Sequence, residues 1–176
     1  MSTDPVDGIV SRQSPFGVAE TVSRLTEAIG AAGAKVFAVI DQSAEARAVG
    51  QSLRDTTLVI FGNPAGGTPV MAAAPLAAMD LPLKVLVFAG DDGAVWMSYL
   101  DRAWLAARYQ LSPELAAPLA VPAALTAKVA DAALLAEAGG DEHGQGHQGG
   151  GGQVDDVDPI CQGGDRVHAG GAGQPG

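Results

Sequence analysis

The chain has 176 residues, with 20 aspartates and glutamates against ten lysines and arginines, and its formal net charge is −10. An acidic chain without a basic stripe is a poor partner for nucleic-acid phosphates and for anionic membrane surfaces. One cysteine, Cys161, builds no disulfide framework, and no uninterrupted apolar run approaches the roughly 18 residues of a membrane span. We therefore expect a soluble cytoplasmic protein that binds neither nucleic acid nor membrane.

The composition changes sharply near residue 138. From Gly139 onward lie 14 of the 24 glycines and all three histidines, His143, His147 and His168. So few apolar side chains cannot offset the ordering entropy of so many glycines. We predict a folded domain over residues 1–138 and a glycine-rich, acidic, disordered tail over residues 139–176.

The first half of the chain alternates strand and helix patterns. After Ser14-Pro15, apolar residues recur at i, i+4, i+7 and i+11, which is typical of an amphipathic helix. The third strand candidate is apolar at nearly every position, which favours a place inside a sheet. The predicted elements are strands over 8–13, 35–40 and 56–61, a helix after Ser14-Pro15, a helix from Asp41 or Ser43 to about Leu53, and a short helix from Pro69.

The second half of the chain contains a hairpin. Two apolar strands, 84–89 and 94–99, flank Gly90-Asp91-Asp92-Gly93, a turn signal that pairs them antiparallel. Helices follow from Asp101 and from Pro122, with an interrupted segment at Ser112-Pro113 between them. The order β-α-β-α-β-α-β-β-α predicts an α+β two-layer sandwich, in which helices pack on a curved, largely antiparallel sheet of about five strands.

The stretch that follows the third strand is the strongest candidate for a ligand site. Gly62-Asn63-Pro64 marks a turn, side chains are almost absent at Ala65-Gly66-Gly67, and Thr68-Pro69 has the pattern of an N-cap followed by proline at the first helical position. A glycine-rich loop before a helix start can cradle an anion. The predicted ligand-binding residues are Asn63, Gly66, Gly67 and Thr68, with Arg54 as a charge partner.

A purely structural role for this stretch is the alternative. Asn63 and Thr68 would then only cap and turn the chain. The segment lacks the Gly-Lys-Ser/Thr ending of a P-loop and the Gly-x-Gly-x-x-Gly spacing of a dinucleotide site. Nucleotide binding is therefore not indicated.

Several segments resemble one protein family, the domain-of-unknown-function family 302. The resemblance rests on LRDTTLVIFGNPAGGTPVM, on DLPLKVLVF followed by DGAVWMSYLDRAWLAARYQL, and on VFAVIDQSAEARAVG. It implies a fold similar to the TATA-binding protein, with a curved sheet crossed by a long helix, usually in a homodimer. It implies no activity. Gln42 and Tyr109 stand where many members of that family carry histidine.

The domain lacks the residues of several catalytic classes. Residues 1–138 contain no histidine and no cysteine, which removes Ser/His/Asp triads, Cys/His dyads and histidine zinc sites. The tail histidines with Cys161 could hold adventitious metal only, so we predict no metal site, and no pattern specifies a cofactor. The acid/base candidates, which we expect mostly at turns and caps, are Asp41, Asp55, Asp80, Asp91, Asp92 and Asp101.

Two hypotheses about function follow. The first is a non-catalytic homodimer that binds a small ligand, for example an anion, or a partner protein. Trp96, Tyr99 and Trp104 could line an apolar pocket, pack in the core or contribute to the dimer interface. The alternative is an enzyme that acts on a small anionic substrate with Asp and Arg chemistry around the Asn63–Thr68 loop.

Overall fold

The computed structural model describes residues 6–138, with side chains through residue 132. The predicted tail over 139–176, with its histidines and Cys161, lies outside the described residues, so its disorder and the domain boundary stay predictions. Five strands and six helices follow one another along the described chain. They are β1 (Ile9–Ser14), α1 (Val18–Ala31), β2 (Lys35–Asp41), α2 (Gln42–Ala48), β3 (Thr56–Gly62), α3 (Pro64–Ala73), β4 (Leu83–Ala89), β5 (Val95–Leu100), α4 (Arg102–Tyr109), α5 (Pro113–Ala116) and α6 (Val121–Ala138), with short 3₁₀ helices at Pro75–Met79 and Ala117–Ala120.

The five strands form one open sheet in the order β1-β5-β4-β3-β2, and every neighbouring pair is antiparallel. The predicted hairpin joins β4 and β5, where the amide of Gly90 donates to the carbonyl of Ala94 at 2.7 Å. Gly93 completes this turn with a φ of +80°, a conformation that glycine adopts without strain. The predicted α+β fold with a largely antiparallel sheet is confirmed.

One face of the sheet carries the core. Side chains alternate along each strand, so every second residue faces α1 and α6. Burying this apolar surface supplies the main driving force for folding. The core residues of the two helices are Leu25, Ile29, Leu125 and Val129, and those of the central strands are Val59, Phe61, Val85, Val87 and Met97.

The opposite face of the sheet, here called the open face, carries an apolar patch at its centre. The register pairs Leu58 with Leu86 and Phe88 with Trp96 across neighbouring strands, which places these side chains together on this face. All four are only partly buried, and Ile40 on the edge strand β2 is 38% exposed. Within the described residues, the core side chains of α1 and α6 lie on the other side, so the open face is available to a partner.

Helix α3 begins five residues earlier than predicted. Asn63, not Thr68, is the N-cap: its side-chain oxygen accepts a hydrogen bond from the amide of Ala65 at 2.9 Å. The amides of Gly66 and Gly67 donate to the carbonyl of Asn63 at 3.0 and 2.9 Å. The prediction of a glycine-rich loop was wrong, because a cap and proline directly after the strand start the helix first.

Helix α2 has one of the two predicted N-caps and is shorter than predicted. Its N-cap is Asp41, whose carboxylate accepts from the amide of Ala44 at 2.8 Å and from the Ser43 hydroxyl at 2.5 Å. The helix ends at Ala48 and not near Leu53, because Gly50 with a φ of +75° turns the chain away.

One described stretch, Pro113–Ala132, is long and apolar enough to cross a membrane by length and composition, with a mean hydropathy of 1.3. No such stretch is expected from the sequence, because polar and charged residues interrupt its apolar run. In the structure it is divided among α5, a 3₁₀ helix and α6, and it contributes Leu119, Leu125 and Val129 to the core. Its apolar character is therefore that of a helix packed in a soluble-type α+β domain.

Candidate functional site

A cavity of about 320 Å³ lies at one end of the sheet. It is enclosed by the end of β3, the start of β4, the C-terminal end of α1, helix α3 and the turn into α6. Its volume is at the lower end of the range for ligand pockets, about 300–1,000 Å³. The apolar side chains that line it include Phe37, Phe61, Met71, Leu83, Leu119 and Val121.

Glycine allows α3 to close over this cavity. A Cβ atom at Gly66 would lie 3.0 Å from Cβ of Pro118, so the helix approaches this close only without a side chain there. A Cβ atom at Gly67 would meet nothing within 4 Å, and neither glycine has a positive φ. Gly66 therefore serves close packing, while Gly67 leaves space at the cavity wall.

Asn63 and Thr68 are the polar side chains in the lining. The side-chain oxygen of Asn63 is engaged by the amide of Ala65, which directs its amide nitrogen away from that bond. Within residues 6–138, no hydrogen bond uses the Asn63 side-chain nitrogen or the Thr68 hydroxyl. Both groups can therefore serve a bound molecule.

Four of the five predicted site residues come together here. Asn63, Gly66, Gly67 and Thr68 all line the cavity. Arg54 does not, because it precedes β3 while Asn63 follows it, and a seven-residue strand is about 23 Å long. Arg54 instead lies 3.0 Å from Asp91 in an ion pair, so the structure does not bring it to the cavity with the other four.

Other cavity residues gave no signal in the sequence. Phe37, Leu119 and Val121 look like ordinary apolar positions of a strand and a helix, and nothing local marks them as neighbours of Asn63. They meet because antiparallel pairing brings the start of β2 to the end of β3 and because the turn before α6 packs there. Only this long-range arrangement identifies them.

The two positions where many relatives carry histidine lie at opposite ends of the sheet. Gln42 follows Asp41, which pairs with Thr57 at the start of β3. The hydroxyl of Tyr109 donates to the Asp80 carboxylate at 2.5 Å, just before β4 begins opposite the end of β3. They therefore share no site within one chain.

The Asp80–Tyr109 contact extends to one cation. Arg108 donates to the Tyr109 hydroxyl at 3.3 Å and lies 3.6 Å from the Asp80 carboxylate. The hydrogen bond to Tyr109 raises the pKa of the Arg108 guanidinium. This arrangement ties α4 to the segment before β4 and lies outside the cavity lining.

The three aromatic residues singled out from the sequence do not form one pocket. Trp96 lies on the open face, and Tyr99 belongs to the core. Trp104 packs over Gly8 and donates from Nε1 to the Asp7 carboxylate at 3.2 Å. The possibility of a shared apolar pocket was wrong, because strand alternation separates Trp96 from Tyr99.

These features define a class: a small α+β domain with an open antiparallel sheet, helices on one face and an apolar cavity at one end. The family model for the domain of unknown function DUF302 matches residues 10–132, and the chain belongs to that family. The resemblance seen in the sequence is confirmed. The fold is shared with the crystal structure of an uncharacterized conserved DUF302 protein from Bacillus stearothermophilus, at a TM-score of 0.60 and 19% identity over 72% of this chain and 98% of that one.

The chain is also similar to part of curated bacterial proteins. These include the fluoride-specific ion channel FluC 1 of Brucella suis biovar 1 and the FluC 1 of Brucella abortus biovar 1. Each is 37% identical over 119 residues, which covers 68% of this chain and 46% or 43% of the relative. The chain thus spans less than half the length of these relatives.

Proposed function

We propose that the chain is a non-catalytic binding domain that holds a small molecule in the end cavity. One observation carries the proposal: the cavity is of ligand size, and its lining contains no carboxylate, amine, guanidinium, imidazole or thiol. Acid–base and nucleophilic catalysis need such groups within hydrogen-bond reach of the substrate. Thr68 supplies a hydroxyl, but no base in the lining could activate it.

The alternative of an enzyme acting on a small anionic substrate gains no support from this geometry. Its cation, Arg54, is paired with Asp91 far from Asn63. Asp41 and Asp101 act as helix caps, as the sequence predicts for most of its carboxylates. The acidic composition and the lone cysteine support a cytoplasmic location for the binding domain.

The binding function is tested by a thermal-shift screen of small metabolites, followed by turnover assays on each hit. Val121→Phe fills the cavity and should abolish the shift. Val49→Phe, at a site 72% exposed and remote from the lining, is the matched control and should preserve it. Turnover of a hit that is lost in Asn63→Ala would replace this proposal with the enzymatic one.

We also propose a homodimer formed through the open face. Strands spaced about 4.8 Å apart, with about 3.3 Å per residue, give a face of roughly 24 by 20 Å, or about 480 Å². This is less than the roughly 800 Å² that each partner buries in a standard interface, so a dimer through this face would belong to the small interfaces. The central pairs on this face are apolar, whereas the pairing with β1 adds Ser11, Gln13 and Ser98 at one edge. Lys84 also lies on this face, and its ammonium donates to the Asp80 carbonyl at 3.1 Å. Two copies could therefore pack through the centre of this face without bringing like charges together.

Light scattering at micromolar concentration tests the homodimer. Leu86→Arg places a charge in the middle of the open face and should give monomers with an unchanged circular dichroism spectrum. Leu76→Arg makes the same change at a site 75% exposed in the 3₁₀ helix after α3 and should leave the dimer intact. A monomeric wild type would refute the dimer, and so would a dimeric Leu86→Arg protein.

A second candidate function is that of an accessory domain for a membrane channel. The observation that favours it is the 37% identity to part of the Brucella fluoride channels. Conduction needs segments that span the bilayer, whereas the apolar stretch of this domain packs on its own sheet. Conduction in those relatives would then belong to the part outside the match, with the matched part binding a ligand beside it.

A chimera tests the accessory role. The matched segment of the Brucella suis protein is replaced by residues 6–138 of this chain, and fluoride efflux is measured in liposomes. We expect efflux that responds to a cavity ligand and no longer responds when Val121→Phe is introduced. Efflux that is identical with and without the domain, at every ligand concentration, would contradict this role.

A further inference from the structure

We infer that the end cavity selects an uncharged, elongated apolar molecule with one hydrogen-bonding head group, of the size and chemistry of a medium-chain alcohol. The inference rests on the proposed binding function and adds the ligand class. It departs from the small anion expected from the sequence. Three observations carry it, concerning the cavity wall, its polar edge and the placement of charge.

The wall favours an apolar body. Phe61 and Leu83 face each other across β3 and β4, and both are buried. Phe37, Leu119 and Val121 complete an apolar surface. Removing apolar ligand surface from water is favourable by roughly 25 cal/mol per Å², so a hydrocarbon chain gains most from this wall.

The polar edge favours a head group that takes part in hydrogen bonds. The Asn63 side-chain oxygen is held by the amide of Ala65, so its amide nitrogen is presented as a donor. The Thr68 hydroxyl can donate or accept. Asn63 is the N-cap of α3 and Thr68 lies five residues further along the helix, and both line the cavity, so a hydroxyl or carbonyl head group finds a hydrogen-bonding partner at this edge.

The placement of charge favours a neutral head group. No ionisable side chain lines the cavity, and a charge without a partner is costly to bury. The nearby cations are engaged elsewhere, since Lys84 donates to the Asp80 carbonyl and Arg108 lies 3.6 Å from the Asp80 carboxylate. The start of α3 attracts an anion weakly, because Asn63 already accepts from the amides of Ala65, Gly66 and Gly67.

Calorimetric titration of the full chain with 1-octanol, octanoate and octylammonium at pH 7.5 tests the selection. The three ligands share a chain length and differ in head-group charge. We expect 1-octanol to bind at least about tenfold more tightly than either ion, and Thr68→Val to weaken 1-octanol binding by about three- to tenfold. Asn63→Asp keeps an N-cap of equal quality and adds a carboxylate at the polar edge. Asn63→Asp should therefore bind octylammonium more tightly than 1-octanol.

The outcomes separate the ligand class from the binding function. Octanoate that binds as tightly as 1-octanol, with both lost in Val121→Phe, would overturn the neutral selection and leave the cavity as the binding site. An unchanged ratio of octylammonium to 1-octanol in Asn63→Asp would also overturn the selection. If none of the three ligands binds the wild type, the ligand class is overturned, and the binding function then depends on the thermal-shift screen alone.

Discussion

At the scale of single residues, backbone conformation explains why glycine occupies positions 8 and 33. Gly8 has a φ of +78°, and a Cβ atom there would lie 2.4 Å from the Trp104 ring. Gly33 has a similar φ of +71° but open space around it. Comparing alanine substitutions at the two glycines therefore separates the free-energy cost of a left-handed backbone from that of a steric clash.

We expect Gly8→Ala to destabilise the domain more than Gly33→Ala. A left-handed alanine costs about 1–2 kcal/mol, and both variants should lose that amount. Gly8→Ala must in addition displace Trp104, which also breaks its hydrogen bond to Asp7. Urea unfolding of both variants measures the difference. Equal losses would show that the Trp104 contact contributes nothing to stability.

Asp41 should give the domain a pH-dependent contribution to stability. The hydrogen bond from the Ser43 hydroxyl, followed by that from the Ala44 amide, lowers the pKa of the Asp41 carboxyl below its usual value. A folded-state pKa below the unfolded value of about 4 stabilises the domain above that pH, and the contribution is lost as pH falls through the lowered value.

Asp41→Asn keeps a capping oxygen and removes the charge. The wild type should therefore be more stable than Asp41→Asn at pH 7, and the difference should shrink as the pH falls below about 4. Urea midpoints across this range provide the measurement. A difference that stays constant with pH would mean that the carboxylate charge plays no part.

At the scale of elements, the sequence predicted what depends on local pattern. The five strands, the amphipathic helix α1 and the hairpin at Gly90–Gly93 lie close to their predicted positions, because alternation, helical spacing and turn residues act within a few neighbours. The start of α3 was mispredicted because Asn63-Pro64 and Thr68-Pro69 carry the same signal five residues apart. Local pattern fits both as helix starts. The end of β3 at Gly62 places Asn63-Pro64 directly after the strand, and the helix begins there.

Gly67→Ala tests the new position of α3. Gly67 lies inside the helix with an ordinary φ, and its added methyl group meets nothing within 4 Å. Alanine is more favourable than glycine inside a helix by about 0.5–1 kcal/mol, so the melting temperature should hold or rise. Binding of a cavity ligand should fall, because the methyl group occupies the cavity wall.

Gly66→Ala is the matched comparison, since its methyl group would press on Pro118. It should melt below Gly67→Ala, because α3 must move outward to fit it. Unchanged ligand affinity in a well-folded Gly67→Ala protein would count against the cavity as the binding site.

At the scale of the whole molecule, the two surfaces of interest result from long-range pairing. The cavity joins Ala34, Phe61 and Leu119, which are separated by 27 and 58 positions in the chain. The sequence predicted the part of the site that is contiguous, from Asn63 to Thr68, and missed the rest for this reason. The open face was equally hidden, because a strand covered on one side by α1 and α6 and a strand covered on both sides can have the same apolar composition.

Truncation after Ala138 should leave the domain intact. Among the described residues, the buried core runs from Leu25 to Val129, and all of it lies before Ala138. The melting temperature should stay within about two degrees of the full chain, since about 1 kcal/mol corresponds to several degrees for a domain of this size. A fall of about ten degrees or more would show that residues 139–176 stabilise the folded domain.

The most direct test of the central claim is an amide NMR titration of the full chain with 1-octanol. The account predicts saturable shifts at Asn63, Gly66 and Gly67, with smaller changes at Leu86, Trp96 and Ser98 on the open face. Saturable shifts confined to the open face, or no saturable shift at any amide, would contradict a ligand site in the end cavity.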